Sequence, residues 1–308
     1  MNDERLYTVD DETASELARD LGGSGAGVVL VVVLDGFVDA GNAGDLVAEH
    51  LLDELSHKRL VTFDVDSLVD HRSRRPVATF ESNAFTGYTP HEIAIDLVRG
   101  ADGVPFLLLH GLEPDYRWER FTTSLLELVR RFDVTTTVTL HGIPMAVPHS
   151  RPTSVTTTAT RSDLVTENQS WFGTVRIPAG YPVLLERRLG ENGRDAMTLA
   201  VHVPHYLSQS RYVPAAVTLL ERLQQATGLV LDVAALAEPA AEALDEVARK
   251  VEESADVAAL VSALEQQYDA FTANQDRENL LAGAAPLPSG DEIAAEFEQF
   301  LSQQGPEQ

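Results

Sequence analysis

Apolar residues are arranged along this chain in three ways, and each arrangement predicts a different element. Val28 to Leu34 is seven β-formers with no polar break. A run apolar on both faces needs cover on both, as a central strand of a parallel sheet between helices has. Pro105 to Leu109 reads the same way, and Val134 to Leu140 and Ala196 to Val203 are further strands. Arg59 to Val65, Ser154 to Thr160 and Gly173 to Ile177 are shorter ones. Helical spacing is the second arrangement. Ala43, Leu46, Val47, Leu51, Leu52 and Leu55 share one face of a helix over Asn42 to Leu55. Helices are likewise predicted over Tyr116 to Phe132, near Tyr181 to Leu189, and over Pro214 to Thr227. The third arrangement is alternation: Ile93, Ile95 and Leu97 interleave with Glu92, Ala94 and Asp96. Coming after Val77 to Phe80, this predicts a hairpin at the edge or flank of the sheet.

Strand and helix keep alternating, with polar loops after the strands. That is the pattern of an α/β fold: three layers, α/β/α, around one parallel or mixed sheet. Residues 1–27 are expected to be a flexible lead-in, with at most a short helix at Glu12 to Leu21 before Gly22-Gly23-Ser24-Gly25. The core domain is expected over 28–230. Over 231–272, Leu236, Leu244, Val251, Leu260 and Leu264 at helical spacing predict a small all-helical subdomain. Residues 273–308 then read as a linker and an extended tail, ending in an amphipathic helix from Asp291 to Leu301 capped by Ser289 or Asp291. Ile293, Phe297, Phe300 and Leu301 lie on one side of it and form a candidate interaction face.

Charge and composition narrow the partners. The formal net charge is -25, so duplex nucleic acid and anionic membranes are repelled by the average surface. The acidity is concentrated at the end: seventeen acids from Asp232 onward face only Arg249, Lys250 and Arg277. His71-Arg72-Ser73-Arg74-Arg75-Pro76 is a local basic loop in this acidic chain. It would meet the acidic C-terminal region of another subunit, or simply be solvated. With no cysteine there is no disulfide, thiolate metal site or cysteine nucleophile, which suits a reducing cytoplasm. No apolar run approaches a membrane span, and the start lacks a signal-peptide pattern.

Several loops carry residues with chemistry to offer. The Gly36 to Gly44 turn is neither a dinucleotide fingerprint nor a P-loop, and Asp35 and Asp39 would repel an anion there. Its glycines permit tight packing of helix on strand, with Asn42 or Asp39 as the helix cap. Asp35, Asp39, Asn42, Glu113, His141, His149, Arg151, His202, His205 and Arg211 all lie in or just beyond loops that follow strands. In an open α/β sheet such loops share one edge, where ligands bind. They form a candidate pocket in which a histidine paired with a carboxylate such as Glu113 would do acid-base work. The competing reading gives these residues the task of satisfying loop backbone and fixing subunit contacts. His202-Val203-Pro204-His205 is not a zinc spacing, and neither a metal nor a cofactor is expected. Ser150, Ser154, Ser208 and Ser210 lie near histidines, but none is in a nucleophile elbow.

Four stretches carry a family resemblance. They are Gly36-Phe37-Val38-Asp39-Ala40-Gly41-Asn42-Ala43-Gly44, Leu109-His110-Gly111-Leu112-Glu113-Pro114-Asp115-Tyr116-Arg117-Trp118-Glu119-Arg120-Phe121, Gly142-Ile143-Pro144-Met145-Ala146-Val147-Pro148-His149-Ser150-Arg151-Pro152, and Val201-His202-Val203-Pro204-His205-Tyr206. Together they make the chain resemble the proteasome assembly chaperone 2 family in its actinobacterial form, over roughly Val28 to Phe271. The resemblance implies a core similar to nucleoside phosphorylases, self-association with a trimer as the first expectation, and a cytoplasmic assembly factor or scaffold without a proven activity. Proteasome-related or other cytoplasmic proteins are the implied partners. Some members dock on proteasome rings through a C-terminal hydrophobic-tyrosine motif; the last residues here, Gly305-Pro306-Glu307-Gln308, do not carry it. The sequence thus leaves two expectations. One is a non-enzymatic, homo-oligomeric chaperone or scaffold acting through protein contacts. The other is an enzyme or sensor that takes a small anionic or nucleoside-like ligand at the carboxyl edge of the sheet.

Overall fold

Along Val28 to Leu34, side chains are divided between two cores. Val31 and Val33 pack into one buried cluster, and Val28, Leu30, Val32 and Leu34 into the other. A strand with period two can be apolar throughout only when both faces are covered. In a computed structural model, residues 5–24, 27–165 and 174–273 are described. In chain order they form β1 (Tyr7–Val9), α1 (Asp11–Ser24), β2 (Val28–Val32), α2 (Ala43–Glu54), β3 (His57–Phe63), α3 (Val65–Leu68), β4 (Val77–Glu81), β5 (Ala84–Thr89), β6 (Ile93–Arg99), β7 (Pro105–Gly111), α4 (Trp118–Arg131), β8 (Val134–Met145), β9 (Val155–Ala159), α5 (Tyr181–Glu191), β10 (Asp195–Pro204), α6 (Val213–Thr227), α7 (Ala237–Glu252) and α8 (Ala255–Ala273).

Eight strands form one mixed sheet in the order β1-β3-β6-β7-β2-β8-β10-β9. The central strands β7, β2, β8 and β10 run parallel, and both flanks are antiparallel. Leu46, Val47 and Leu51 of α2, Leu219 and Leu223 of α6, and Val261 and Leu264 of α8 pack on one face. Leu17 of α1, Phe121 and Leu125 of α4, and Tyr181, Leu185 and Leu189 of α5 pack on the other. The three-layer α/β/α arrangement expected from the sequence is therefore present, with helices following it at the C-terminal end. The apolar side of α7 and α8 joins the same cluster as the sheet and α6.

Four details differ from the sequence reading. The lead-in is ordered over residues 7–24: β1 pairs with β3 and α1 buries Leu17. Among the described residues of this lead-in only Leu6, Thr13 and Leu17 are buried, too few to set a visible period. Second, β4 pairs with β5 rather than with the stretch from His91. That stretch is β6, an interior strand buried on both faces. Its apparent polar face fails because Asp96 is only 2% exposed and bonds to Arg59 and to His110. Third, β8 continues to Met145 through Pro144. It keeps β10 as a partner there, whereas its pairing with β2 has already stopped at Thr139. Last, residues 174–177 are in no strand. The expected tail helix with Ile293, Phe297, Phe300 and Leu301 lies outside the described residues.

Candidate functional site

The central parallel strands place a crevice by topology alone. After β2 the chain turns to α2 on one face of the sheet, and after β7 it turns to α4 on the other. Since β2 and β7 are parallel neighbours, their carboxyl ends part there, which is where ligands sit in open α/β sheets. Asp35 and Leu112 form a last bridge at this point, and the loops beyond it build the rim.

Two carboxylates hold those loops. Glu113, buried at 5% exposure, accepts the Phe37 amide at 2.8 Å and the amide of Tyr181 at the first turn of α5. It therefore fills the position at a helix N-terminus that an external anion would take. Gly36 lies against it, and a Cβ there would run into the Glu113 carboxylate. Asp39 accepts from Gly44 at 2.9 Å, from Asp45 at 3.1 Å and from Gly142 at 2.7 Å. It caps α2 and ties that helix to β8. Asn42, the other candidate cap, has a left-handed backbone (φ 50°) and makes no capping bond.

The remaining candidates divide by location. His141 on β8 lines a cavity with Glu113 and Gly180. Its Nδ1 is wholly buried and, among the described residues, has no hydrogen-bond partner. Burial pushes its pKa down, opposed by the charge of Asp39. His202 is buried within β10, sharing a 2.7 Å bond from Nε2 with Thr156 Oγ1 of β9; burial lowers its pKa to about 4. His149 and Arg151 belong to the contact with α8, while His205 meets the Met145 carbonyl at the end of β8 through its Nδ1, at 3.4 Å. The Tyr206 hydroxyl accepts the His149 amide at 2.9 Å and shares a 2.8 Å bond with its Nδ1. Arg151 pairs with Asp269 at 2.7 Å and with Glu265 at 3.4 Å on α8. Arg211 pairs with Glu49 of α2. The structure thus gathers Asp35, Asp39, Asn42, Glu113 and His141 at one rim and sends the other five to strand or helix contacts. Among the described residues Glu113 makes no histidine pair of the kind suited to acid-base work; its two oxygens accept backbone amides.

Sequence reasoning missed two clusters. Asp45, in the first turn of α2, has its pKa raised to about 6 by burial and then by Asp35, Asp39 and Glu49. A row of half-buried Arg59 and buried Asp96 and His110 crosses β3, β6 and β7, with His110 Nε2 donating to Asp96 at 3.0 Å. Burial opposes ionisation of Asp96, but His110 and Arg59 win and hold it below the usual carboxylate range. The sequence signal was the single acid at an inward position of an otherwise apolar strand. Among the described residues no group of three or more His, Asp or Glu side chains is placed to hold a metal ion, and no helix is long and apolar enough to cross a membrane.

Comparison with known proteins adds to this geometry. Residues 33–251 match the model of the PAC2 family. The chain is 39% identical to a Mycobacterium tuberculosis protein of unknown function, with a TM-score of 0.83 and coverage of 99% of this chain and 98% of that one. A Corynebacterium glutamicum protein of unknown function is 36% identical, with a TM-score of 0.82 and coverage of 87% and 98%. A Mycobacterium tuberculosis proteasome-assembly chaperone homologue is similar in fold: 24% identity, a TM-score of 0.70, and coverage of 76% and 100%. The comparison with curated proteins gives no match.

Proposed function

This chain belongs to the PAC2 family, and from that premise we propose that it is a non-enzymatic assembly chaperone or scaffold, working as a homo-oligomer through protein contacts in the cytoplasm. A trimer is the first assembly to test, and proteasome-related proteins are the first partners.

The observation that carries this reading is the β4–β5 hairpin. Every residue of β4 is exposed, and across the two strands Val77, Phe80, Phe85 and Tyr88 are 69%, 59%, 77% and 65% exposed. The hairpin is a separate two-stranded sheet, and Phe80 and Phe85 meet edge to face at 5.3 Å. A lone hairpin is marginal in water, and contiguous exposed apolar surface marks a protein contact. A second copy of this chain is the occupant that charge favours. Arg72 and Arg75 are exposed at the root of the arm, while the chain as a whole carries a formal charge of -25. Oppositely charged surfaces of two copies steer such an arm into place, and the closed symmetry of homo-oligomers lets each copy give and receive one.

Sedimentation tests this directly. The wild-type chain should sediment as an oligomer, and a Phe80→Ser/Phe85→Ser variant should sediment as a 33.5 kDa monomer with an unchanged circular dichroism spectrum. A monomeric wild type, or a variant of unaltered size, overturns the arm as the contact. Crosslinked affinity capture tests the chaperone role, which fails if only the protein itself is recovered.

A further inference from the structure

We propose that the cavity between the carboxyl ends of β2 and β8 and the first turn of α5 binds a small uncharged molecule with a branched aliphatic body and one hydroxyl or amide group. The cavity measures about 100 Å³; an apolar cavity of roughly 150 Å³ takes a benzene, so this one suits a body the size of a leucine side chain. Leu34, Val38, Leu140, Ile143, Pro178 and Val183 are among the apolar residues of its wall. Sites of this make-up bind by apolar contact and are oriented by a few polar groups.

Two polar groups reach it, Glu113 and His141. Glu113 is already engaged by the amides of Phe37 and Tyr181. It holds a negative charge where an incoming anion would otherwise find the α5 N-terminus, so the anionic ligand considered from the sequence is repelled. An organic cation would have to shed its water among aliphatic side chains with no free carboxylate oxygen to replace it. His141 is the group left over. Its Nδ1 has no hydrogen-bond partner among the described residues, and burial pushes the ring's pKa down, toward the neutral imidazole that offers one donor and one acceptor. A hydroxyl or amide satisfies it without bringing a charge into the cavity.

Three probes share one body and differ in charge: isovaleramide, isovalerate and 3-methylbutylammonium. Titration of the full chain, read by nitrogen NMR of the histidine rings, should give saturable shifts at His141 with isovaleramide, with a Kd on the order of a millimolar for so few atoms. The two ions should bind at least about tenfold more weakly. Val183→Trp, at the exposed mouth, and Ile143→Phe, within the wall, should each abolish the shift; the first alters an exposed position and leaves folding intact. A flat titration with isovaleramide, equal binding of isovalerate, or shifts that persist in both plugged variants overturns the proposal. The cavity lies within one chain, so a monomeric Phe80→Ser/Phe85→Ser variant should bind as the wild type does.

Discussion

The amide of Phe37 donates to Oε2 of Glu113 at 2.8 Å, across 76 residues of sequence. Through this bond the loop after β2 is fastened to the loop after β7, and the second oxygen of Glu113 fastens both to α5. Replacing Glu113 by Ala strands two backbone amides at a buried site. At about 1–3 kcal/mol for each unsatisfied group, the cost should be about 2–6 kcal/mol in urea unfolding. Gly36→Ala forces the same carboxylate aside and should cost a comparable amount. The two changes should be strongly non-additive, because the second has little left to disturb. Additive costs would mean that the contact is not shared.

Asp39 makes a comparable junction between α2 and β8. Asp39→Ala removes a helix cap and the acceptor of the Gly142 amide, for an expected loss of about 2–3 kcal/mol. Asp39→Asn keeps one acceptor oxygen and should cost less than half of that. Thermal unfolding of the two variants side by side checks the order.

Asp45 and His202 give opposite pH dependences. The folded pKa of Asp45, about 6, lies above its unfolded value. The fold therefore favours the protonated acid, and this contribution is lost as pH rises from about 4 to 6. Asp45→Asn should be more stable than wild type at pH 7 by roughly 1 kcal/mol, after discounting for partial solvation and for the favourable place of an acid in a first helical turn, with no gain at pH 4. For His202 the folded pKa is about 4, below the unfolded value. Its contribution is complete above about pH 6.5 and declines as pH falls toward 4. A Thr156→Val/His202→Val pair, which removes both partners of the buried bond, should flatten that acid limb. Urea midpoints from pH 4 to 8 separate the two effects.

Arg151 clasps α8 through Asp269 and Glu265. The groups face solvent, so Arg151→Ala should leave global stability nearly unchanged. It should nonetheless speed amide exchange in α8 ahead of the sheet, and 0.5 M salt should reproduce part of the change in wild type. Unaltered exchange in α8 would assign its anchorage to Tyr268, Val261 and Leu264 alone.

What the sequence displayed depended on how local each cause was. Runs such as Val28 to Leu34 and Pro105 to Leu109 declare strands covered on both faces, because nothing distant alters that reading. β6 was misplaced because Asp96 is neutralised by Arg59 and His110, which lie on neighbouring strands. β1 is three residues long, too short for any period to register. At the site, Asp39, Glu113 and His141 were visible as polar residues just after strands. That His149 and Arg151 would instead be drawn toward a C-terminal helix depends on where α8 folds back, and no spacing within residues 141–152 encodes it.

The position of β2 also bears on how the chain is made. Its neighbours are β7 and β8, so the first apolar strand to leave the ribosome must wait for partners on the order of 75 residues behind it. At about 5–20 residues per second, the delay is roughly 4–15 s, during which Val28 to Leu34 presents two unsatisfied edges to the crowded interior of the cell. Newborn chains of this protein are thus most prone to clump before residue 110 emerges, and slower translation would lengthen that hazard rather than relieve it.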